Sequence, residues 1–170
     1  MPVTRLNHAV LYVRDVSVSA AFYAQTLGFR PVMEMPGAAF LQAGGSTNDH
    51  DLGLFQLGPE AGASTAGATT VGLYHLAWEV DTLDELQSVR ERLDATGALV
   101  GATDHGTTKA LYAQDPDGIE FEVSWLVPAD LLTEEILGHR AALRPLDLSA
   151  EIARFGGQTR GGIGVSVPVG

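Results

Sequence analysis

The sequence predicts an α+β protein built from two copies of one unit, each running strand, helix, strand, strand, strand. The first observation is an internal repeat, LNHAVLYV at 6–13 and LYHLAWEV at 73–80. Each apolar, β-rich run is the expected first strand of its unit and has histidine at its third position. The second is that a helical pattern and then three short β-like segments follow each repeat. Two such units in 170 residues predict two curved sheets that face each other around a cleft.

Capping residues bound the two predicted helices. The first is expected to begin near Ser17, a suitable N-cap, and to stop at Gly28. The second opens with Thr82 followed three residues later by Glu85, the pattern of a capping box, and ends at Gly97. Its apolar residues recur at helical spacing and form one stripe: Leu83, Leu86, Val89 and Leu93.

Short β-like segments complete both units. They are expected at 30–34, 38–43 and 51–57 in the first unit and at 98–103, 109–114 and 119–126 in the second. The first unit is therefore placed at about 3–57 and the second at about 73–127, within one domain over 1–127. A segment rich in Gly, Ala, Ser and Thr, 58–72, is the expected connector.

The remainder of the chain, 128–170, departs from this repeat. Helical patterns are predicted over Asp130–Leu143 and Ser149–Phe155, and the sequence after them is rich in glycine. No Lys-Ser or Lys-Thr pair follows those glycines and no strand precedes them, which argues against a phosphate-binding loop. We expect 128–170 to be an extension that covers the domain or meets a second subunit.

Composition excludes several classes of partner. The net charge of −11 opposes binding to nucleic acid or to an anionic membrane surface, because both are negatively charged. No apolar run approaches the length of about 18 residues that a membrane span needs. The chain has no cysteine, so a metal would be held by nitrogen and oxygen. The N-terminus does not resemble a signal peptide, and a cytoplasmic location is the default expectation.

Three side chains are candidates for a shared metal site. His8 and His75 hold equivalent positions of the repeat, and such positions approach each other if a pseudo-two-fold axis relates the units. Glu122 would face the same cleft if the last strand neighbours the first. Imidazole nitrogen and carboxylate oxygen suit Fe(II), Mn(II), Ni(II) or Zn(II), and two histidines with one carboxylate leave coordination positions open, as in non-haem Fe(II) oxygenases.

The repeat, the two histidines and the ending DPDGIEFEV resemble the vicinal oxygen chelate superfamily over about residues 2–126. That group includes glyoxalase I, fosfomycin- and bleomycin-resistance proteins and extradiol ring-cleaving dioxygenases. A longer stretch, TDHGTTKALYAQDPDGIEFE, is similar to the extradiol signature, in which a histidine precedes a tyrosine, a DPxG turn and the metal-ligand glutamate. Those positions fall on His105, Tyr112, Asp115, Pro116, Gly118 and Glu122.

Two further positions bear on this resemblance. The segment DHDLGLF is similar to the extradiol stretch that carries the histidine acting as acid and base, a position that falls on His50. The family often has a histidine where this chain has Asp49. Glu120 shares a strand face with Glu122 and is the rival ligand, but the family spacing of four residues from Gly118 favours Glu122.

The resemblance implies an Fe(II)-dependent dioxygenase that cleaves a catechol-type ring with O₂. It implies His8, His75 and Glu122 as metal ligands, with Mn(II), Ni(II) or Zn(II) as alternative metals. Catalysis would use His50 as acid and base, with His105 and Tyr112 as hydrogen-bond donors. The expected partners are a small aromatic diol, O₂ and further copies of the chain in a homodimer or higher homo-oligomer.

Two other functions stay open. A glyoxalase-like isomerase would need a second carboxylate ligand from the last strand of the first unit. That strand has no acidic residue beyond Asp51, and Gln56 is the remaining candidate. A metal-free protein that binds a drug or metabolite would lack the histidine and glutamate ligands that this chain keeps. His139 matches no family position and is expected to be structural.

Overall fold

The computed structural model describes residues 2–3, 5–67, 69–140 and 142–162, which divide into two compact units. Unit 1 takes the described part of 1–66 together with Asp115–Ile119, and unit 2 takes the described part of 67–114 and 120–170. The α+β class and the repeated strand–helix–three-strand order are both confirmed. The end of the glycine-rich sequence, 163–170, lies outside the described residues. None of the described helices has both the length and the apolar character needed to cross a bilayer.

Unit 1 is a four-stranded sheet with one helix. Its elements are β1 (Ala9–Val13), α1 (Val16–Leu27), β2 (Arg30–Met35), β3 (Ala38–Gln42) and β4 (Leu52–Gln56). The strand order is β1-β4-β3-β2, and β1 runs parallel to β4 while the other pairs are antiparallel. In β1, Leu11 and Val13 are buried whereas Val10 and Tyr12 are exposed, as expected when a helix covers only one face of a sheet.

The first helix begins earlier than the sequence predicted. Asp15, not Ser17, is the N-cap, because its Oδ1 accepts hydrogen bonds from the backbone N–H groups of Ser17 (2.8 Å) and Val18 (3.1 Å). The predicted end at Gly28 is confirmed, and this glycine has the left-handed conformation of a helix C-cap, with φ +74°.

Unit 2 repeats the arrangement and adds the C-terminal extension. Its repeat consists of β5 (Leu76–Glu79), α2 (Leu83–Thr96), β6 (Leu99–Asp104), β7 (Thr108–Gln114) and β8 (Glu120–Leu126). The strand order is β5-β8-β7-β6-β9, where β9 (Arg144–Pro145) comes from the extension. Thr82 caps α2 through its Oγ1 and the Glu85 N–H (3.2 Å), as predicted, and the predicted stripe of four apolar residues is fully buried against the sheet.

The extension is less helical than predicted. Among the described residues of 130–143, the pattern forms a 3₁₀ turn (Ala129–Leu131) and the short helix α3 (Glu134–Gly138). One longer helix does not form there because Thr133 caps a new helix through its Oγ1 and the Ile136 N–H (3.2 Å). The last described helix, α4 (Leu148–Phe155), packs beside α2. Its N-cap is Asp147, so the helix begins at Leu148, one residue before the expected start at Ser149.

A buried lysine joins the extension to the sheet of unit 2. The Nζ of Lys109 lies 2.5 Å from Asp104 Oδ1 and 2.9 Å from Glu151 Oε2, and the Lys109 side chain is 1% exposed. The rings of Trp125 and Phe155 pack at 5.5 Å between centroids in the same region. Paired charge and aromatic packing therefore fix α4 against β7 and β8.

Candidate functional site

His8 lies at the start of β1 rather than inside it. The strand begins at Ala9, whose N–H donates to the Asp51 carbonyl (2.9 Å), because the parallel partner β4 begins at Leu52 opposite Ala9. The prediction that His8 sits within a strand is wrong by one residue. Nδ1 of His8 is 2.8 Å from Asn7 Oδ1, and an amide oxygen can only accept, so Nδ1 carries the proton and Nε2 keeps its lone pair.

His50 lies against His8 in unit 1. The centroids of the two imidazole rings are 4.5 Å apart, and the Phe40 ring meets His50 edge-on at 5.0 Å. Nδ1 of His50 is 2.9 Å from the Asp49 carboxylate, so this nitrogen also donates and Nε2 is the one that remains basic. The structure therefore brings together two of the predicted site residues, His8 and His50. In both, Nε2 is the ring nitrogen that can accept a proton or bind a metal.

The loop before β4 holds the two histidines in place. The carboxylate of Asp51 accepts hydrogen bonds from Ala43 N (2.8 Å), Ser46 Oγ (2.8 Å) and Asn48 Nδ2 (2.7 Å). Burial favours a higher pKa for Asp51, but these hydrogen bonds outweigh it and lower the pKa below its usual value. Asn48 also donates to the Asn7 carbonyl (2.8 Å), which ties the loop to the residue before His8.

In unit 2, His75 and Glu122 form a close pair. His75 lies just before β5, which begins at Leu76 because its parallel partner β8 pairs from Phe121, so the prediction that His75 sits inside the strand is again wrong by one residue. Nε2 of His75 is 3.2 Å from Glu122 Oε2. Both side chains are largely buried, with exposures of 23% and 13%.

Tyr112 joins this pair from the neighbouring strand. Tyr112 and Glu122 are direct partners in the β7–β8 ladder, so their side chains share a sheet face. Leu111 and Phe121, one residue earlier in each strand, are buried on the side of α2. Burial, and after it the charge and hydrogen bond of Glu122, raise the pKa of Tyr112 to about 12, which keeps its phenol protonated near neutral pH.

His105 extends the cluster beyond Tyr112. Its Nε2 is 2.9 Å from the Tyr112 hydroxyl, and its Nδ1 is 3.0 Å from the backbone carbonyl of Ala142. The structure thus connects four of the predicted site residues within unit 2: His75, Glu122, Tyr112 and His105.

The rival carboxylate, Glu120, has another partner. The Tyr74 hydroxyl hydrogen-bonds Glu120, and this bond together with the carboxylate charge raises the pKa of Tyr74. Gln56, the alternative ligand in the first unit, is also engaged, because its Oε1 accepts from the Val16 N–H (3.2 Å) at the start of α1. These contacts favour Glu122 over Glu120 and engage the Gln56 amide at the first residue of α1, beside the N-cap Asp15.

The donor atoms of the His75–Glu122 pair suit a divalent cation. Ligands about 2.1 Å from an ion and at right angles to each other lie about 3.0 Å apart, close to the observed separation. His75 Nδ1 is buried without a hydrogen-bond partner among the described residues. Within the described ranges, no three histidine or acidic side chains are already grouped as ligands, so the set of His8, His75 and Glu122 stays a prediction.

Sequence reasoning missed the supporting residues. Asn7 and Asn48 fix His8, and an asparagine directly before a predicted ligand is a signal that could have found the first of them. The contact of the Ala142 carbonyl has no such signal, because a backbone group carries no residue-specific mark and Ala142 is 37 positions from His105.

Comparison with known proteins agrees with the sequence resemblance. A family model described as Glyoxalase/Bleomycin resistance protein/Dioxygenase superfamily matches residues 5–123. The chain is 32% identical over 120 residues to a catechol-2,3-dioxygenase from Bacillus subtilis, covering 71% of this chain and 41% of that protein. It is 34% identical over 115 residues to biphenyl-2,3-diol 1,2-dioxygenase 3 from Rhodococcus globerulus, covering 67% and 59%. The chain thus spans only about two fifths to three fifths of these relatives.

A solved structure shares the fold. A glyoxylase/bleomycin resistance protein/dioxygenase domain from Frankia sp. EAN1pec superimposes with a TM-score of 0.63 at 22% identity, covering 75% of this chain and 96% of that domain. With the family model matching most of the chain and the duplicated unit seen in the structure, this protein belongs to the glyoxalase/bleomycin resistance/dioxygenase superfamily, the vicinal oxygen chelate superfamily.

Proposed function

We propose that the chain is an extradiol dioxygenase that cleaves a catechol-type aromatic ring with O₂. The observation that carries this proposal is the connected cluster His75–Glu122–Tyr112–His105, in which a carboxylate–imidazole pair adjoins a protonated phenol and a second imidazole. Two dioxygenases that are similar to the chain act, by their names, on catechol and on biphenyl-2,3-diol. Both are aromatic diols, which is the substrate class we propose here.

The metal in this proposal is Fe(II), held by His75 and Glu122 with His8 as the third ligand. Fe(II) accepts imidazole nitrogen and carboxylate oxygen, and the chain has no thiolate to compete. When bound, Fe(II) supplies open coordination positions for the two diol oxygens and for O₂, together with redox chemistry. Mn(II) accepts the same donors and is the closest alternative.

His50 is proposed to take a proton from a substrate hydroxyl and to return it during ring opening. Imidazole is suited to both steps at physiological pH. The contact of its Nδ1 with Asp49 leaves Nε2 as the atom that accepts the proton. Phe40 packs against the His50 ring and limits its rotation.

Tyr112 is proposed to stabilise negative charge on substrate oxygen, and His105 is proposed to act through Tyr112. The phenol of Tyr112 stays protonated because its pKa is raised to about 12, so it can donate a hydrogen bond where an ionised group could not. Nε2 of His105 lies 2.9 Å from the Tyr112 hydroxyl oxygen and orients this hydroxyl group. The isomerase alternative loses support because Oε1 of Gln56, its candidate fourth ligand, accepts from the Val16 N–H instead.

The test is turnover by protein loaded anaerobically with Fe(II). We expect O₂ uptake and formation of a yellow ring-fission product in equal amounts with catechol, 3-methylcatechol or biphenyl-2,3-diol. The His50→Gln variant, loaded with the same metal, is the matched control and should be slow. Absence of turnover with every diol would contradict the proposal. Conversion of the methylglyoxal–glutathione adduct without O₂ would select the isomerase, and failure to take up any divalent metal would select a binding protein.

A further inference from the structure

Backbone from the C-terminal extension contacts the cluster in unit 2. The Ala142 carbonyl lies 3.0 Å from Nδ1 of His105. A carbonyl oxygen can only accept a hydrogen bond, so Nδ1 must carry a proton whenever this contact is made. In neutral His105 the lone pair is then on Nε2, which is the atom that faces the Tyr112 hydroxyl at 2.9 Å.

The position of Ala142 is fixed from both sides. Its own N–H donates to the carbonyl of His139 (2.8 Å), the residue that follows α3. Immediately after it, β9 pairs with the end of β6, where Arg144 lies opposite Asp104 and Pro145 opposite Thr103. His105 follows β6 directly, so the same antiparallel pairing that holds β9 brings Ala142 to His105.

Close packing at Gly106 holds α3 against the loop between β6 and β7, which carries His105. A Cβ atom at this position would lie 2.8 Å from the Ile136 carbonyl oxygen and 2.9 Å from the His139 carbonyl carbon, and Gly106 has φ +78°. Farther along, the buried Lys109–Glu151 pair fixes α4. The extension is therefore tied to unit 2 before and after the residue that contacts His105.

We infer that the C-terminal extension is part of the reaction machinery, and that the Ala142 carbonyl is a positioning group that holds His105 in the Nδ1–H tautomer. Its role in turnover rests on the proposed function, whereas the tautomer itself does not. With Nδ1–H fixed, His105 presents a basic Nε2 to Tyr112, and the phenolic proton has a defined acceptor besides Glu122. The protein thus sets the direction of the hydrogen bond between the two side chains through backbone far along the chain.

The first experiment reads the tautomer directly. Two-bond ¹H–¹⁵N correlation spectra of the 170-residue chain, labelled with ¹⁵N-histidine and free of paramagnetic metal, distinguish the protonated ring nitrogen, and the His105→Gln spectrum assigns the signal. We expect Nδ1–H for neutral His105. A spectrum showing Nε2–H would overturn the inference whatever the activity of the protein.

The second experiment weakens the carbonyl, removes the N–H of residue 143 and leaves every side chain unchanged. Incorporating the α-hydroxy analogue of leucine at position 143, whose side chain is 81% exposed, turns the Ala142–Leu143 amide into an ester, and ester carbonyls are poorer acceptors. We expect a loss of Nδ1–H signal and a fall in kcat of about two- to tenfold, the effect of weakening one neutral hydrogen bond. The same replacement at Leu132, in the same extension, is the matched control.

Equal spectra for the two esters would contradict the positioning role. A further outcome is that the tautomer of His105 changes in the ester variant although the unmodified protein turns over no diol. That result would contradict the proposed dioxygenase activity and would support the positioning role of the Ala142 carbonyl. Because the tautomer of unmodified protein is measured first, the inference is tested even if an ester variant does not fold.

Discussion

Nε2 of His75 lies 3.2 Å from Oε2 of Glu122, and the neighbouring carboxylate of Glu120 hydrogen-bonds Tyr74 instead. Two glutamates on the same face of β8 therefore have different partners, although the sequence alone places them only two residues apart. This difference makes the choice of metal ligand testable with two conservative substitutions.

Glu122→Gln is expected to weaken Fe(II) and Mn(II) binding strongly. Changes to residues that merely support ligands cost about 10- to 100-fold in affinity, and replacing a ligand carboxylate should cost at least as much. Glu120→Gln is the matched control and should bind metal as the unmodified chain does. Anaerobic calorimetric titration measures both, and a larger loss for the Glu120 variant would reverse the assignment.

His50→Gln is expected to lower kcat with metal content unchanged. General acid–base groups contribute about 10²- to 10⁴-fold to rate, so turnover should fall by that order. Asp49→Asn should have a smaller effect, because Asp49 is 94% exposed and orients His50 from the solvent side. Steady-state kinetics beside elemental analysis provide the test, and loss of iron in parallel with activity would assign His50 to metal binding.

Tyr23→Phe is expected to destabilise the fold in a manner that depends on pH. The Tyr23 hydroxyl donates to the buried Asp115 carboxylate at 3.2 Å, and its loss should cost about 1–3 kcal/mol near pH 7 because a buried acceptor loses its donor. Burial, and after it the charge of Asp115, raise the pKa of Tyr23 well above 10.

The sign of that dependence follows from the raised pKa. Stability from the protonated phenol is present below pH of about 10, the pKa of unfolded tyrosine, and is lost as the pH rises further toward the raised pKa of the folded state. The difference in unfolding free energy between the unmodified chain and Tyr23→Phe should therefore shrink above pH of about 10. Urea denaturation from pH 7 to 11 measures it, and a constant difference would mean that the phenol is not shielded.

Local signals in the sequence predicted much of this molecule. The capping pattern of Thr82 and Glu85 predicted the start of α2 correctly. A capping hydrogen bond joins residues only three positions apart, so it needs no tertiary information. The starts of β1 and β5 were predicted too early in the sequence. A strand begins where its neighbouring strand offers a carbonyl or N–H, and the neighbours β4 and β8 are 43 or more positions away in the chain. The prediction of one helix over 130–143 was wrong because Thr133 acts as a second N-cap within an otherwise helical pattern.

The residues of the candidate site also fall into those that the sequence indicated and those that only the structure shows. Four residues were chosen as site candidates because their types and spacing follow a family pattern: His50, His105, Tyr112 and Glu122. The structure gives each a definite partner, and their roles stay predictions. Asn48, which fixes the loop carrying His50, and the Ala142 carbonyl were not found. Their contacts depend on how loops fold back, and only coordinates reveal them.

Lys109→Met is expected to be among the most damaging single substitutions outside the cluster. It would leave the carboxylates of Asp104 and Glu151 without the ammonium group that they share, and breaking a buried ion pair costs about 3–5 kcal/mol. Because α4 is fixed through Glu151, the loss should also loosen the extension that carries Ala142. The double variant Lys109→Met with Glu151→Met should regain part of the stability, since one uncompensated charge is removed with its partner.

Arg160→Met is the matched control for this prediction. The Arg160–Asp81 ion pair also joins the extension to unit 2, at 2.7 Å, but its side chains are 79% and 71% exposed. An exposed pair contributes only about 0–1 kcal/mol, so this variant should unfold at nearly the same urea concentration as the unmodified chain. Equal destabilisation by Lys109→Met and Arg160→Met would show that burial does not set the strength of the Lys109 contacts, and the extension would then be held by its apolar packing against Trp125 instead.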